Sequence, residues 1–284
     1  MKDKFKNFWK DFSLGIKSYS KAFDILFTKN LAWFFLFPLV LNIVLFIIGT
    51  SSINLLIDYL EIQINNLIGL DTAVFWGSGV LRTVLSWTLY ILFKLMYVIA
   101  FAYIGGKVVI IFMSPVFSVL SEKVDKVLTG NKYPFSAEQT MRDIIRGIII
   151  ASRNMLLELV AIIIIFALGL IPFIGWVISF IGTFVLFGVA AYFYGFSFMD
   201  YTSERKRLNI SQSVKYINKN IGISIGVGSI FTLALIIPIC GTLLASFVSI
   251  VAVTAATIAI HEKEIEETNK IKEIEGEEQK ELNL

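Results

Sequence analysis

Two stretches of this chain carry no charge. Between Glu158 and Asp200 lie 41 residues without Asp, Glu, Lys or Arg, and between Lys219 and His261 lie another 41. Each is interrupted once, by Ile171-Pro172-Phe173-Ile174-Gly175 in the first and by Ile237-Pro238-Ile239-Cys240-Gly241 in the second. A membrane span needs about 20 apolar residues, so each block is too long for one. Proline ends a helix, and a glycine three residues on permits a sharp turn. The pattern predicts two helical hairpins embedded in a bilayer, since a soluble helix needs a polar face that these blocks lack.

The chain before them alternates differently. In residues 2–29 seven lysines are interleaved with Phe5, Phe8, Trp9, Phe12, Ile16, Tyr19, Phe23 and Phe27, mostly three or four apart. That spacing predicts an amphipathic helix lying in the membrane interface. A first span follows over residues 31–50, with Pro38 inside it and Asn42 one turn later. Asn42 is placed either to bond the carbonyl that the proline frees or to contact another helix. Residues 51–70 continue the helical pattern beyond that span. A second span falls within residues 83–113 and is interrupted by Lys94 and Lys107. With the apolar core over residues 86–106, Lys94 sits roughly 12 Å inside it. There it is either a functional charge or, with the span shifted, a lysine that snorkels outward.

Ser114-Pro115 reads as the N-cap and first-turn proline of a separate helix to Leu128, ending at Gly130. Residues 136–158 read as an amphipathic helix carrying Arg142, Arg146 and Arg153, to meet lipid headgroups, an anionic solute, or the acids Asp143 and Glu158. Residues 200–219 form a basic connector. Residues 262–284 hold nine Glu and four Lys and read as a solvated helix or a disordered tail.

Composition agrees with a membrane protein. Hydrophobic residues are 56% and charged residues 17%, against roughly 45–50% and 25% in soluble domains, and the mean hydropathy is +0.77. One cysteine, Cys240, excludes an internal disulfide and a cysteine-based metal site. The single histidine, His261, closes the last apolar run. The first apolar run starts near Leu31, too late and too long for a secretory signal peptide. Lysine and arginine number seven in residues 1–30, one in 51–82, six in 114–153 and five in 201–219, with none in the hairpin tips. By the positive-inside rule both termini and every later loop are cytoplasmic, and residues 51–82 lie outside. The uncharged first arm of the first hairpin, Leu159 to Ile171, is 13 residues, about 20 Å of helix against a core of roughly 30 Å. The other arms are near full length. Two architectures fit: two full spans with two half-membrane hairpins, or six spans.

The order of these parts resembles the CysZ-like family, which includes bacterial sulfate permeases and the eukaryotic etoposide-induced membrane proteins. The likeness covers residues 10–260 and rests on several pieces. They are Phe37-Pro38-Leu39-Val40-Leu41-Asn42, the run from Ser114-Pro115 to Glu122, Leu128-Thr129-Gly130, the Ile171–Gly175 tip, Asp200-Tyr201, and the Pro238 hairpin ending in Ala255-Ala256-Thr257. The resemblance implies an all-α integral membrane protein with two long transmembrane helices and two Pro-x-x-Gly-tipped hairpins that penetrate partway, assembled as a homo-oligomer. It implies one membrane domain over residues 1–260 and an acidic tail over 261–284, in a bacterial inner membrane. One departure stands out. Sulfate permeases of this type carry a Gly-Leu-Arg-type motif before the first span, where this chain has Asn30-Leu31-Ala32-Trp33. That anion site is not carried over.

The expected function is a permease or channel-like protein for a small solute, with a sulfate-like oxyanion as the candidate. The alternative is a non-transporting assembly, scaffolding or bilayer-shaping protein. Candidate solute contacts are Lys94 and the hairpin-tip residues Gly175, Gly241 and Thr242, where helix N-termini aim amides into the membrane. Pro38, Asn42, Pro172, Pro238 and Asp200 are structural candidates. No nucleophile–base pair, metal cluster or nucleotide loop is apparent, so the expectation is no enzyme activity, no cofactor and no metal. The expected partners are the lipid bilayer, a small anionic solute and further copies of the chain, and not nucleic acid.

Overall fold

The computed structural model describes residues 2–68, 78–131, 137–237 and 241–282. Among them every regular element is helical: α1 (Lys2–Thr28), a 3-10 turn (Ala32–Phe35), α2 (Leu36–Ile68), α3 (Ser78–Thr129), α4 (Ala137–Gly169), α5 (Gly175–Arg205), α6 (Ile210–Lys219), α7 (Ile221–Ile236) and α8 (Gly241–Leu282). Pro238 and Cys240 lie outside the described residues.

The helices are longer and fewer than the polar punctuation predicts. Pro115 does not start a new helix: it lies inside α3, which runs 52 residues without a break. A proline there forgoes one hydrogen bond, and neighbouring helices hold the segment straight enough to continue. Ser114 is buried beside it, against Gly147 of α4. Residues 137–158 and the first hairpin arm are likewise one helix, α4. The helix through that arm therefore continues back past Glu158, and its 25 residues from Ile145 to Gly169 are long and apolar enough to cross a membrane, where the uncharged part alone has 13. Charged residues do not end α4, since Arg and Glu are good helix formers, and the part-buried Arg146 is paired with Asp200. Pro38 sits in the first turn of α2, where a missing N–H costs nothing. Among the described residues, four helical segments are long and apolar enough to cross a membrane: Ala32–Leu60, Ile145–Gly169, Gly175–Arg205 and Leu243–Glu275.

The core is built around α7. Its sequence Ile221-Gly222-Ile223-Ser224-Ile225-Gly226-Val227-Gly228 places small residues on two faces, the arrangement that lets membrane helices approach closely. Gly222 and Gly226 lie under the backbone of α1 at Phe8 and Phe12, where an added Cβ would meet carbonyl oxygens at 2.5 and 2.4 Å. Gly228 lies against α5 in the same way: an added Cβ would stand 1.8 Å from the Ala191 carbonyl oxygen, and one on Gly195 of α5 would meet the Ser224 carbonyl. Ser224 donates to the Tyr192 carbonyl at 2.9 Å, and Tyr19 of α1 donates to the Val227 carbonyl at 2.7 Å. Phe231 fills the space below, edge-on to Phe198 and tilted against Tyr194.

The N-terminal helix thus has two faces with different partners. Tyr19, Ala22 and Leu26 are buried on α7 and α8, whereas Phe5, Trp9, Ile16, Phe23 and Phe27 remain exposed. The exposed stripe suits the membrane interface; the buried one was hidden within the same aromatic spacing. The start of the acidic tail continues α8 and clasps this helix. Lys263 reaches the buried Asp11 at 2.7 Å, and Glu262 and Glu266 pair with Lys21 and Lys10. Glu267 pairs with Lys219 at the end of α6.

Helix α6 meets α7 at 89°, so it lies across the bundle while α7 runs into it. A capping box, Asn209 with Gln212, starts α6. The 16 residues of α7 span about 24 Å. The first hairpin reaches further. Ala191 and Gly228 touch where α5 and α7 cross; from there α5 continues 16 residues to Gly175 and α7 eight to Ile236. At the helical rise, the first tip stands about 12 Å beyond the second. Its side chains are correspondingly bare: Phe173 is 96% and Trp176 86% exposed.

Candidate functional site

The charged residues gather at the end of the bundle opposite the tips. Helix spacing puts Arg142, Ile145, Arg146 and Ile149 on one face of α4. Asp200, near the end of α5, is 5% exposed and faces Arg146. Arg146 Nε and Nη2 donate to the two carboxylate oxygens of Asp200 at 3.0 and 2.9 Å, a bidentate pair. The remaining guanidinium edge donates to the Leu208 carbonyl and to Ser213 Oγ. One buried side chain therefore ties α4 to α5, to the turn after α5 and to α6. A charge pair this deep persists only when nearly every donor is met.

A second arginine works one turn further on. Arg205 lies 3.7 Å from Asp125 of α3, bonds Thr202 at 3.1 Å and also reaches Ser121 Oγ. Ser121 and Thr257 of α8 are 2.9 Å apart. Of these, Asp125, Thr202, Arg205 and Thr257 line a polar cavity of about 220 Å³, with Asn131, Lys206, His261 and Glu264 on its wall. Burial and the Arg205 charge push Lys206 down to about 8, although Asp125 and Glu267 pull the other way and Glu264 forms an ion pair with it. Its ammonium also donates to Tyr216 at 3.1 Å, and burial raises that phenol to about 12.

Between the two nodes the chain turns sharply. Arg207 adopts a left-handed conformation, φ 55°, and its amide donates to the Glu204 carbonyl at 2.8 Å. Beside it opens a groove of about 550 Å³ against α4, lined by Arg142 and Arg207 among others.

The residues singled out by sequence are dispersed. Lys94 donates to Asn54 of α2 at 3.0 Å and lies 5.4 Å from the Tyr90 ring, far along α3 from the arginine nodes. Asn42 bonds both the Pro38 carbonyl and Ser246 of α8, so it serves as the interhelical contact. Gly175 and Gly241 play one structural part in the two hairpins. Each faces the carbonyl of the residue six before it, where a Cβ would stand 2.0 Å from the Gly169 oxygen and 2.5 Å from that of Leu235. The Gly175 amide is spent on the Ile171 carbonyl at 2.8 Å, and Pro172 accepts from Ile174. Of Thr242 only the helical backbone is described, and Pro238 lies outside the described residues. Among the described residues no group of His, Cys, Asp and Glu is placed to hold a metal.

The Arg146–Asp200 pair escapes a sequence reading because the partners lie 54 positions apart, with Asp143 and Glu158 nearer at hand. The one available signal is that Asp200 closes an uncharged block.

A family model described as sulfate transporter CysZ/etoposide-induced protein 2.4 matches residues 18–246. No curated protein matches the chain.

Proposed function

Because this chain belongs to the sulfate transporter CysZ/etoposide-induced protein 2.4 family, we propose that it is a membrane permease or channel-like protein for a small oxyanion of the sulfate class. The match over residues 18–246 carries the reading. The bundle supplies supporting chemistry. Two helices, α5 and α8, begin at hairpin tips, where the positive end of the dipole favours an anion even though the Gly175 amide itself is spent on Ile171. Lys94 adds a formal charge between α2 and α3, beside Asn54. In this reading α2 and α3 cross the membrane and the α7–α8 hairpin enters it partway, since about 24 Å of α7 falls short of the roughly 30 Å core. The first hairpin, with its longer arms, goes deeper. Both termini lie on the cytoplasmic side.

One observation favours a second reading, a bilayer-shaping or assembly protein: the first tip presents Phe173 and Trp176 almost wholly exposed, as a wedge would. Ligand-dependent stability separates the two. Sulfate at a hundred times its Kd should stabilise the detergent-solubilised protein by about 2.7 kcal/mol, while the same ionic strength of chloride should not. Lys94→Met should shrink that shift and leave the unliganded melting point near wild type. No sulfate-specific shift would count against the permease reading. A full shift in Lys94→Met would confine Lys94 to its structural contact with Asn54.

A further inference from the structure

We propose that the groove beside the Arg146–Asp200 node holds the phosphate of an anionic phospholipid, with Arg142 and Arg207 on the headgroup and Ile145 and Ile149 along the acyl chain. The ligand follows from the pattern of the wall. Arg142 of α4 and Arg207 of the turn after α5 both line the groove. Ile145 and Ile149 continue the same α4 face and are 50% and 48% exposed, too apolar for a site that takes only a hydrated ion. A basic mouth above an apolar flank matches a lipid at the membrane boundary, where anionic headgroups attract arginine.

The acids nearby do not cancel this. Asp200 is consumed by Arg146. Glu204 also lines the groove but is 6% exposed. Glu138 pairs with Arg142 at 3.1 Å but is itself 83% exposed, so the pair is weak and easily exchanged for a phosphate.

The turn that carries Arg207 provides an independent observation. A left-handed φ is uncommon for any residue but glycine, and strain of this kind clusters at binding sites. Here the conformation is held from three directions: Arg146 grips the Leu208 carbonyl, Leu208 donates to Ser203 at 3.1 Å, and Asn209 caps α6. Glycine would fit that backbone with less strain. What arginine adds is a guanidinium on the wall of the groove, carried by a backbone held in place, with the planar fork that suits a phosphate.

The test is retention of phosphatidylglycerol against phosphatidylcholine by the purified full chain, read by native mass spectrometry after reconstitution in mixed nanodiscs. Wild type should hold phosphatidylglycerol in preference. At roughly fivefold per arginine near a charged surface, Arg142→Gln with Arg207→Gly should weaken retention about twenty-five-fold. Arg207→Gly alone should lower retention while keeping or raising the melting temperature, which a purely structural arginine would not do. Unchanged retention in the double variant overturns the proposal, and so does equal retention of phosphatidylcholine. If inorganic sulfate or phosphate binds with the same arginine dependence and phosphatidylglycerol does not, the groove serves a soluble anion and the lipid proposal fails. Sulfate flux is not the readout, so the outcome is independent of the transport proposal.

Discussion

Arg146→Ala should destabilise the protein by about 3–5 kcal/mol, the cost of leaving a buried carboxylate without its partner. Asp200 is 5% exposed and takes both of its strong hydrogen bonds from Arg146. Removing the guanidinium also strips the Leu208 carbonyl and Ser213 of a donor, so α4, α5 and α6 lose their common anchor together. Thermal unfolding in detergent should show the loss. Arg142→Ala, four residues away and 68% exposed at its side chain, should stay within about 0.5 kcal/mol of wild type. Replacing both partners, Arg146→Met with Asp200→Leu, should recover most of the stability, because no lone charge is left buried. A wild-type melting curve for Arg146→Ala would mean that the pair does not anchor the bundle.

Gly228→Val should be comparably damaging for a different reason. An added Cβ would stand 1.8 Å from the Ala191 carbonyl and 2.7 Å from the Gly195 amide, all of it backbone that moves only if α5 and α7 separate. Overpacking typically costs about 1–3 kcal/mol and more where helices must part. Here separation also breaks the Ser224 bond to Tyr192 and unseats Phe231. Gly188→Val on α5 is the internal control, since nothing lies within 4 Å of its Cβ position. Size-exclusion recovery of folded protein should fall sharply for Gly228→Val and hold for Gly188→Val. Equal recovery would contradict the close approach of α5 and α7.

The α7 contact shows what was legible in advance. The two uncharged blocks announce themselves, because absence of charge over 41 residues is a compositional signal that survives any detail of packing. Their glycines announce less. Gly222 and Gly226 stand four apart in an apolar run, the usual mark of close helix packing, yet the run alone does not say which helix they meet. Helix ends were legible where a backbone turn requires them, at Gly130, with φ 78°, and at Pro172–Gly175. They were not legible at Ser114-Pro115, a pair that reads as a helix start yet lies inside α3, or at Glu158, which marks a change of polarity and is no helix breaker. Arg146 and Asp200 were each visible as candidates, but their pairing was not: ion pairing between distant helices leaves no periodic trace. The left-handed turn at Arg207 has none either, since arginine is a residue that sequence rules do not place there.

Sulfate uptake into sealed proteoliposomes bears most directly on the central proposal. Radiolabelled sulfate should enter vesicles containing the folded full chain faster than protein-free vesicles of the same lipid, and unlabelled sulfate should compete while chloride does not. Uptake no faster than in protein-free vesicles, with the protein shown to be folded and inserted, would contradict a permease for oxyanions of the sulfate class.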